Sequence, residues 1–439
     1  MSSLEQQTWS RAHYRVLATL YCVYFSNIFG RTAVQVSLAA MAADPTVEFT
    51  PEMTATVLSA GAAVQVASKL LGVTIIDRLG SHRAFVASMS LMFCSLNLMT
   101  APIGGAFNFQ RFLAGWIGNM GAAAIMWPCL ISISGEAFKD NGFSKAVGIL
   151  STSSRVGAIM GNLVWGPLSA QLKWSTLLRL ASLFVLVSIF ALKYLVVPLP
   201  RLPNDLEMAI HAETQGNSDS KVPFGTAVKT FAKNPRLWMV YFTQMMMTLL
   251  LELQALLPVY LRQGAGMSPA AAGAMAAVFP LGAAVATVLG GAIFDRFTGM
   301  SRAAVFALEH VLALLGLGML AAAPATPTSF ALVLIMVGSA PTFYLISAEY
   351  INRYAGPDYS GTLMSWLDVP GQCANILFMG AYPGLVQQGG WSLVFRTLQA
   401  TTLSGSAACL SYLVWDAADP AELFTKVLRQ HAGQRGLKR

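Results

Sequence analysis

Charged residues are scarce in this sequence: Asp, Glu, Lys and Arg together make up 11% of its 439 residues. Soluble domains carry roughly 25%, so this chain cannot cover the surface of a water-soluble protein of its size. Its 55% apolar content excludes a disordered chain. The sequence contains no heptad or collagen-type repeat, which excludes a fibrous protein. The sequence therefore predicts an integral membrane protein.

Cysteine is also rare, with five residues in apolar stretches and at no metal-ligand spacing. We interpret them as small packing residues, so neither disulfides nor a metal site is expected. The chain also lacks nucleic-acid-binding motifs and a nucleophile–base pair. Despite a net charge of +8, we therefore expect no nucleic-acid partner, no enzymatic activity and no cofactor.

Long apolar segments dominate what is present, and each can cross a bilayer, which takes about 20 residues. They predict an all-α membrane protein with twelve transmembrane helices in two six-helix bundles. We expect an N-terminal bundle at 1–198, a charged cytoplasmic linker at 199–236, a C-terminal bundle at 237–415 and a cytoplasmic tail at 416–439. The predicted spans 1 to 12 lie at 16–41, 53–76, 84–103, 109–135, 144–167, 175–198, 237–261, 269–294, 303–323, 328–348, 359–385 and 391–415.

The basic residues predict the orientation of these spans. Twenty of the 28 Lys and Arg residues fall in the two termini, the linker and the loops on that side, against four on the opposite side. Cytoplasmic loops carry the excess of Lys and Arg. Both termini are therefore predicted to be cytoplasmic, in a multi-pass protein whose host membrane the sequence leaves open.

An internal repeat links the two predicted bundles. The chain has DRLGSHR at 77–83 after span 2 and DRFTGMSR at 295–302 after span 8. A second internal similarity pairs the segments that begin GILSTSSRVG at 148 and GTLMSWLDVP at 361. Parallel repeats of this kind are typical of transporters whose halves are related by a pseudo-twofold axis along the membrane normal.

These repeated turns resemble the cytoplasmic signature loop of the major facilitator superfamily. The resemblance implies that superfamily's fold and a conformational latch in which each turn contacts the neighbouring bundle. Glycine permits a tight turn, and an aspartate near a helix N-terminus and a basic partner is favourable. The residues implied in the latch are Asp77, Arg78, Arg83, Asp295 and Arg296.

Within the superfamily, the N-terminal half is similar to the organophosphate/phosphate antiporters, which include the glycerol-3-phosphate and glucose-6-phosphate carriers. Arg31 in FSNIFGRTA stands where that family places a substrate-phosphate arginine, and Lys69 in ASKLLG matches its Ser-Lys. The family's second arginine falls near Leu250 and its helix 5 histidine near Ser154. A two-arginine phosphate clamp is therefore not carried over.

Four ionisable residues lie near the middle of predicted spans: Arg31, Arg155, Glu252 and Asp368. Such residues are costly in a membrane and usually face a cavity or a partner. We predict that they meet at the midplane and bind substrate together with Lys69. Alternatively, Arg155–Asp368 and Arg31–Glu252 are ion pairs that stabilise one conformation without touching substrate.

The sequence thus predicts a monomeric secondary transporter, surrounded by lipid, that moves a small organic anion by alternating access. Antiport, or protonation of Glu252 or Asp368, would supply coupling, with a proton or phosphate as the coupling ion. A phosphorylated metabolite is the first substrate hypothesis and a carboxylate the second. A transporter-like ligand sensor, or a proton-coupled carrier of a zwitterionic or neutral solute, stays open. Glu309 and His310 are assigned no role.

Overall fold

The computed structural model describes residues 9–44, 47–100, 107–138, 143–195, 229, 231–297, 299–324, 326–339 and 343–418. In several helices, 343–368 among them, it describes the backbone alone. All regular elements in these ranges are helical, which confirms the predicted all-α class. They are α1 Arg11–Met41, α2 Pro51–Leu79, α3 Ser81–Thr100, α4 Phe109–Phe138, α5 Phe143–Leu168, α6 Trp174–Leu195, α7 Pro235–Gln263, α8 Pro269–Ala276, α9 Val278–Arg296, α10 Gly299–Ala321, α11 Pro327–Ser339 and α12 Phe343–Ala418.

Predicted spans 1 to 6 coincide with α1 to α6 apart from a few terminal residues. The C-terminal part departs further from the prediction. Span 8 is divided at Ala277 into α8 and α9, and α7 already begins at Pro235, inside the predicted linker. The rest of that linker lies almost entirely outside the described residues. Asn234 caps α7 by accepting the backbone N–H of Arg236 at 3.0 Å, and this cap fixes the end of the linker.

Predicted spans 11 and 12, with the end of span 10, fall within the single helical run of α12. This run reverses direction at Gly390, which has a φ of +64° that favours glycine. The rings of Tyr382 and Trp391 consequently stack with centroids 6.2 Å apart, although nine residues of straight helix would separate them by about 13 Å. The turn lies where the sequence predicted the boundary between spans 11 and 12.

By length and composition, seven stretches of the described chain can cross a membrane. The long helices α1 and α5 are not among them because both carry many polar residues, including Arg31 and Arg155. Most residues of α1 are buried in the bundle, where a neighbouring helix replaces lipid. The seven stretches are Pro51–Leu71, Ser81–Thr100, Phe109–Ser134, Trp174–Leu195, Pro235–Gln263, Pro269–Ala286 and Gly299–Ala321.

Among the described residues, the main contacts between the two halves of the chain join four helix pairs: α1 with α7, α2 with α12, α5 with α8 and α5 with α9. At the α5–α8 contact, a Cβ on Gly166 would lie 2.6 Å from the Cα of Gly273. Only glycine allows backbones to approach this closely, and small residues at helix contacts are the usual basis of packing in membranes.

Two hydrogen bonds join α2 to α12 at the same end of the molecule. The Tyr382 hydroxyl donates to the Pro51 carbonyl at 3.3 Å, and Gln387 Nε2 donates to Glu52 Oε1 at 3.0 Å. Together with the contact between α5 and α8, these bonds hold the halves together at this end, here called the closed end. The N-terminus of α1 lies at the opposite end.

Candidate functional site: a polar pocket between the halves

Arg31 is positioned by the packing of α1 against α5. The indole Nε1 of Trp165 donates to the Phe29 carbonyl at 2.9 Å, and a Cβ on Gly161 would lie 2.7 Å from Thr32 Cβ. These close contacts fix α1 along α5. The Arg31 side chain then lines an internal pocket between the two halves.

This central pocket is enclosed by α1, α2 and α4 from the first half and by α7 and α12 from the second. A position between two repeats is where transporters of this architecture bind their substrates. Its polar lining is unusual for the interior of a bundle in a membrane, where such groups are costly. The lining residues are Arg31, Gln35, Leu58, Ala62, Gln65, Trp116, Met120, Glu252, Ala255, Asn375 and Met379.

Arg31 and Glu252 face this pocket together, as the sequence predicted for two of its four membrane charges. Arg31 and Glu252 form no ion pair in the described structure, because no guanidinium nitrogen lies within 4.0 Å of a carboxylate oxygen. Glu252 instead accepts a hydrogen bond from Gln372 Nε2 at 3.2 Å. The pocket therefore holds opposite charges that do not neutralise each other by direct contact, so a charged ligand has a site on either wall.

Three residues that line the pocket have a buried polar atom without a hydrogen-bond partner among the described residues: Arg31 Nε, Trp116 Nε1 and Asn375 Oδ1. The Oε1 atom of Gln372, which donates to Glu252 through Nε2, is a fourth. An unsatisfied buried polar group costs about 1–3 kcal/mol. Each such group calls for an explanation, which can be a bound water or a functional contact. Similar atoms occur away from the pocket, such as Arg111 Nε and Nη1, but those that line the pocket can bind a solute or water within it.

The pocket is small in this conformation. Its free volume is about 10 Å³, which is close to the space needed for one water molecule. A metabolite would therefore have to enter while the halves are further apart. A wider groove of about 640 Å³ lies between α2 and α12 beside the closed end, but small and apolar side chains make up most of its lining.

The other predicted substrate residues do not line this pocket. Lys69 lies one helical turn beyond Gln65, Arg155 lies in α5, and both make interactions within the protein. The side chain of Asp368 lies outside the described part of the chain. Pairing of Arg155 with Asp368 therefore stays a prediction.

Sequence reasoning missed the neutral polar residues of the site. Gln35 follows Arg31 by one helical turn and Gln65 precedes Lys69 by one turn, so each shares a helix face with a predicted charge. Asn375 lies two turns after Asp368 by the same rule. Polar residues at this spacing from a membrane charge were the available signal. Trp116 gave none, because a tryptophan in a membrane span usually packs against lipid or other side chains.

The two repeated turns have related backbones. Gly80 links α2 to α3 with a φ of +78°, and Gly299 begins α10 with a φ of +52°. Each glycine follows the motif aspartate by three or four residues, in the conformation that glycine favours. Arg83 and Arg296 are exposed, and the side chains of Asp77, Arg78 and Asp295 lie outside the description.

Glu309 and His310 lie in α10, away from the pocket. His310 is 2% exposed, and the Oε2 atom of Glu309 is buried without a hydrogen-bond partner in the described structure. Neither residue is needed for the site described here.

Comparisons with known proteins identify the family and the structures that this fold resembles. The model of the Major Facilitator Superfamily matches residues 20–379. The fold is similar to that of the nucleoside transporter NupG, with 14% identity, a TM-score of 0.67 and coverage of 90% of this chain and 98% of that one. A POT family transporter in complex with 5-aminolevulinic acid has 13% identity, a TM-score of 0.69 and coverage of 90% and 96%. A D-xylose-proton symporter has 14% identity, a TM-score of 0.67 and coverage of 89% and 96%.

No curated protein matches this sequence. The fold and the pocket between two helical halves are those of a multi-pass membrane transporter. The chain belongs to the major facilitator superfamily, as the repeated turns indicated.

Proposed function

We propose that this protein is a secondary active transporter that moves a small organic acid by alternating access. The observation that carries the proposal is Arg31, a guanidinium in the pocket with a buried Nε that no described residue binds. A guanidinium presents a planar fork that binds carboxylate or phosphate through two hydrogen bonds. Both phosphorylated and carboxylated metabolites fit this chemistry, and the resemblance to organophosphate antiporters favours the phosphorylated class.

Glu252 is the proposed coupling group. It lines the same pocket as Arg31 and is held by one hydrogen bond from Gln372. A carboxylate in a low-dielectric site accepts a proton when its charged partners withdraw. Antiport against phosphate would instead use Arg31 alone, with each anion replacing the other. Asp368 stays a second candidate for the proton on the basis of its place in the repeat.

The proposed cycle uses bundles at 1–198 and 237–415 that rock about the pocket, with the linker at 199–236 and both termini in the cytoplasm. The closed end then faces away from the cytoplasm. The turns that contain Asp77, Arg78, Arg83, Asp295 and Arg296 would latch the cytoplasmic end when the other end opens.

Counterflow in proteoliposomes tests the proposal. Vesicles that contain the full chain are loaded with unlabelled sugar phosphates, carboxylates or phosphate, and uptake of the same labelled solute is followed. We expect at least one acid to show counterflow and Arg31→Ala to reduce it at least tenfold, because a charge-assisted hydrogen bond is worth about 1.5–3 kcal/mol. Binding of an acid without counterflow would indicate a sensor, and wild-type counterflow by Arg31→Ala would remove Arg31 from the site.

A further inference from the structure

The two walls of the central pocket differ in the kind of hydrogen bond they offer. On the wall from the first half, the buried atoms without a partner are both donors, Arg31 Nε and Trp116 Nε1. The indole N–H of Trp116 lies against α2 at Gly61, where an added Cβ would be 2.4 Å from Nε1. This wall is cationic and donating.

The wall from the second half offers acceptors. The Glu252 carboxylate can only accept, so Gln372 must turn its amide nitrogen towards it, at 3.2 Å. The Oε1 atom of Gln372 is thereby left without a partner, as is Oδ1 of Asn375. With the charge of Glu252, this wall is anionic and accepting.

We infer that the solute is a zwitterion, which lies across the pocket with its acid group on Arg31 and its ammonium group on Glu252 and Asn375, the charged and polar residues that line the two walls. This inference rests on the proposed function and narrows its substrate class. An acid without an ammonium group would place one negative charge between Arg31 and Glu252, and it would leave the accepting wall without donors. A zwitterion satisfies both walls at once.

This arrangement also explains why Arg31 and Glu252 stay apart. A direct ion pair would satisfy both charges within the empty protein and would compete with the solute. Here Glu252 is held back by Gln372 on its own side of the pocket. The solute then supplies the bridge between the two halves, in a conformation whose pocket is wider than the space for about one water molecule found here.

Ligand-induced thermal stabilisation and counterflow of the full-length protein test the inference. The probes are α- and ω-amino acids and aminoalkyl phosphates, each paired with its N-acetyl form, which keeps the acid and removes the ammonium charge. We expect at least one amino acid or aminoalkyl phosphate to bind at least tenfold more tightly than its N-acetyl form, as loss of a charge-assisted hydrogen bond requires.

Two variants test which residue binds the ammonium group and which binds the acid group. Glu252→Gln should remove the preference for the free amine while the acid alone still binds, and Arg31→Ala should weaken every acid. Glu309→Gln is the matched control, because it neutralises a carboxylate in a helix that does not line the pocket, and it should retain the wild-type preference.

The possible results distinguish a failure of the zwitterion inference from a failure of the proposed function. If N-acetyl forms bind and exchange as well as the free amines, or if only simple acids do, the zwitterion inference is wrong and the transport of organic acids stands. If no acid of either kind binds or exchanges, the proposed function fails with it. A preference that survives in Glu252→Gln would also overturn the inference, because the ammonium group would then bind elsewhere.

Discussion

At the scale of single residues, the candidate site depends on the guanidinium of Arg31, which the fold positions in the pocket without a hydrogen-bond partner among the described residues for its Nε atom. Arg31 is fixed by the packing of α1 on α5 through Trp165 and Gly161. Its Nε atom nevertheless has no partner in the described structure. An unpaired buried donor costs free energy, and this one belongs to a residue that lines the pocket, where a solute can bind it.

The planar pair of donors on the Arg31 guanidinium should contribute to transport as much as its charge does. Arg31→Lys keeps a cation but loses the planar pair of donors, so we expect counterflow of the transported acid to fall roughly 10- to 100-fold, the loss of one charge-assisted hydrogen bond. Thermal unfolding of the purified variant should stay close to wild type.

Arg179→Lys is the matched control. Arg179 donates to the Thr100 carbonyl at 3.2 Å and lies in α6, which does not line the pocket. The same exchange of side chains there should leave counterflow unchanged. Equal losses in both variants would mean that the effect of Arg31→Lys is general and does not come from the site.

At the scale of helices, the sequence predicts the first half better than the second. Spans 1 to 6 coincide with α1 to α6 because loops rich in charged and turn-forming residues separate the apolar segments. Span 8 carries such a signal in Pro280, whose missing backbone N–H leaves the carbonyl of Ala276, the last residue of α8, without its intrahelical donor. The turn at Gly390 was predicted as a boundary, although the helical assignment runs through it in α12. Hydropathy alone does not predict the break in span 8, because Pro280 lies inside an apolar segment.

The hydrogen bonds between α2 and α12 should control opening of the closed end. Tyr382→Phe combined with Gln387→Leu removes both bonds, of which the Tyr382 bond contributes about 1 kcal/mol and the exposed Gln387–Glu52 bond adds little. We expect the ratio of open to closed conformations at this end to rise about fivefold, since 1.4 kcal/mol corresponds to a factor of ten.

Distances between spin labels at Glu48 and Gln263, both exposed at the closed end, measure this ratio. The pair should gain a population at longer distance in the double variant. Gln388→Leu provides the control, because it places the same side chain on the exposed neighbour of Gln387. An unchanged distance distribution in the double variant would show that these bonds do not hold the end closed.

At the scale of the whole molecule, the sequence predicted the superfamily, which the family comparison confirms, and the structure brings two of the predicted charges to one pocket, whose other lining residues it adds. Arg31 and Glu252 were predicted from the cost of charge in a membrane. Gln35, Gln65 and Asn375 were not, because neutral amides are common in membrane spans and only the assembled pocket shows which of them line it.

The central claim is that the pocket opens to one side of the membrane at a time. A second label pair at Tyr14 and Lys233, which lie at the starts of α1 and α7, reports the opposite end. Both pairs are measured in lipid for the wild type and for the Tyr382→Phe/Gln387→Leu variant. The account predicts that the Glu48–Gln263 distance lengthens in the variant while the Tyr14–Lys233 distance shortens. Lengthening at both ends, or no change at Tyr14–Lys233 when the closed end opens, would contradict alternating access.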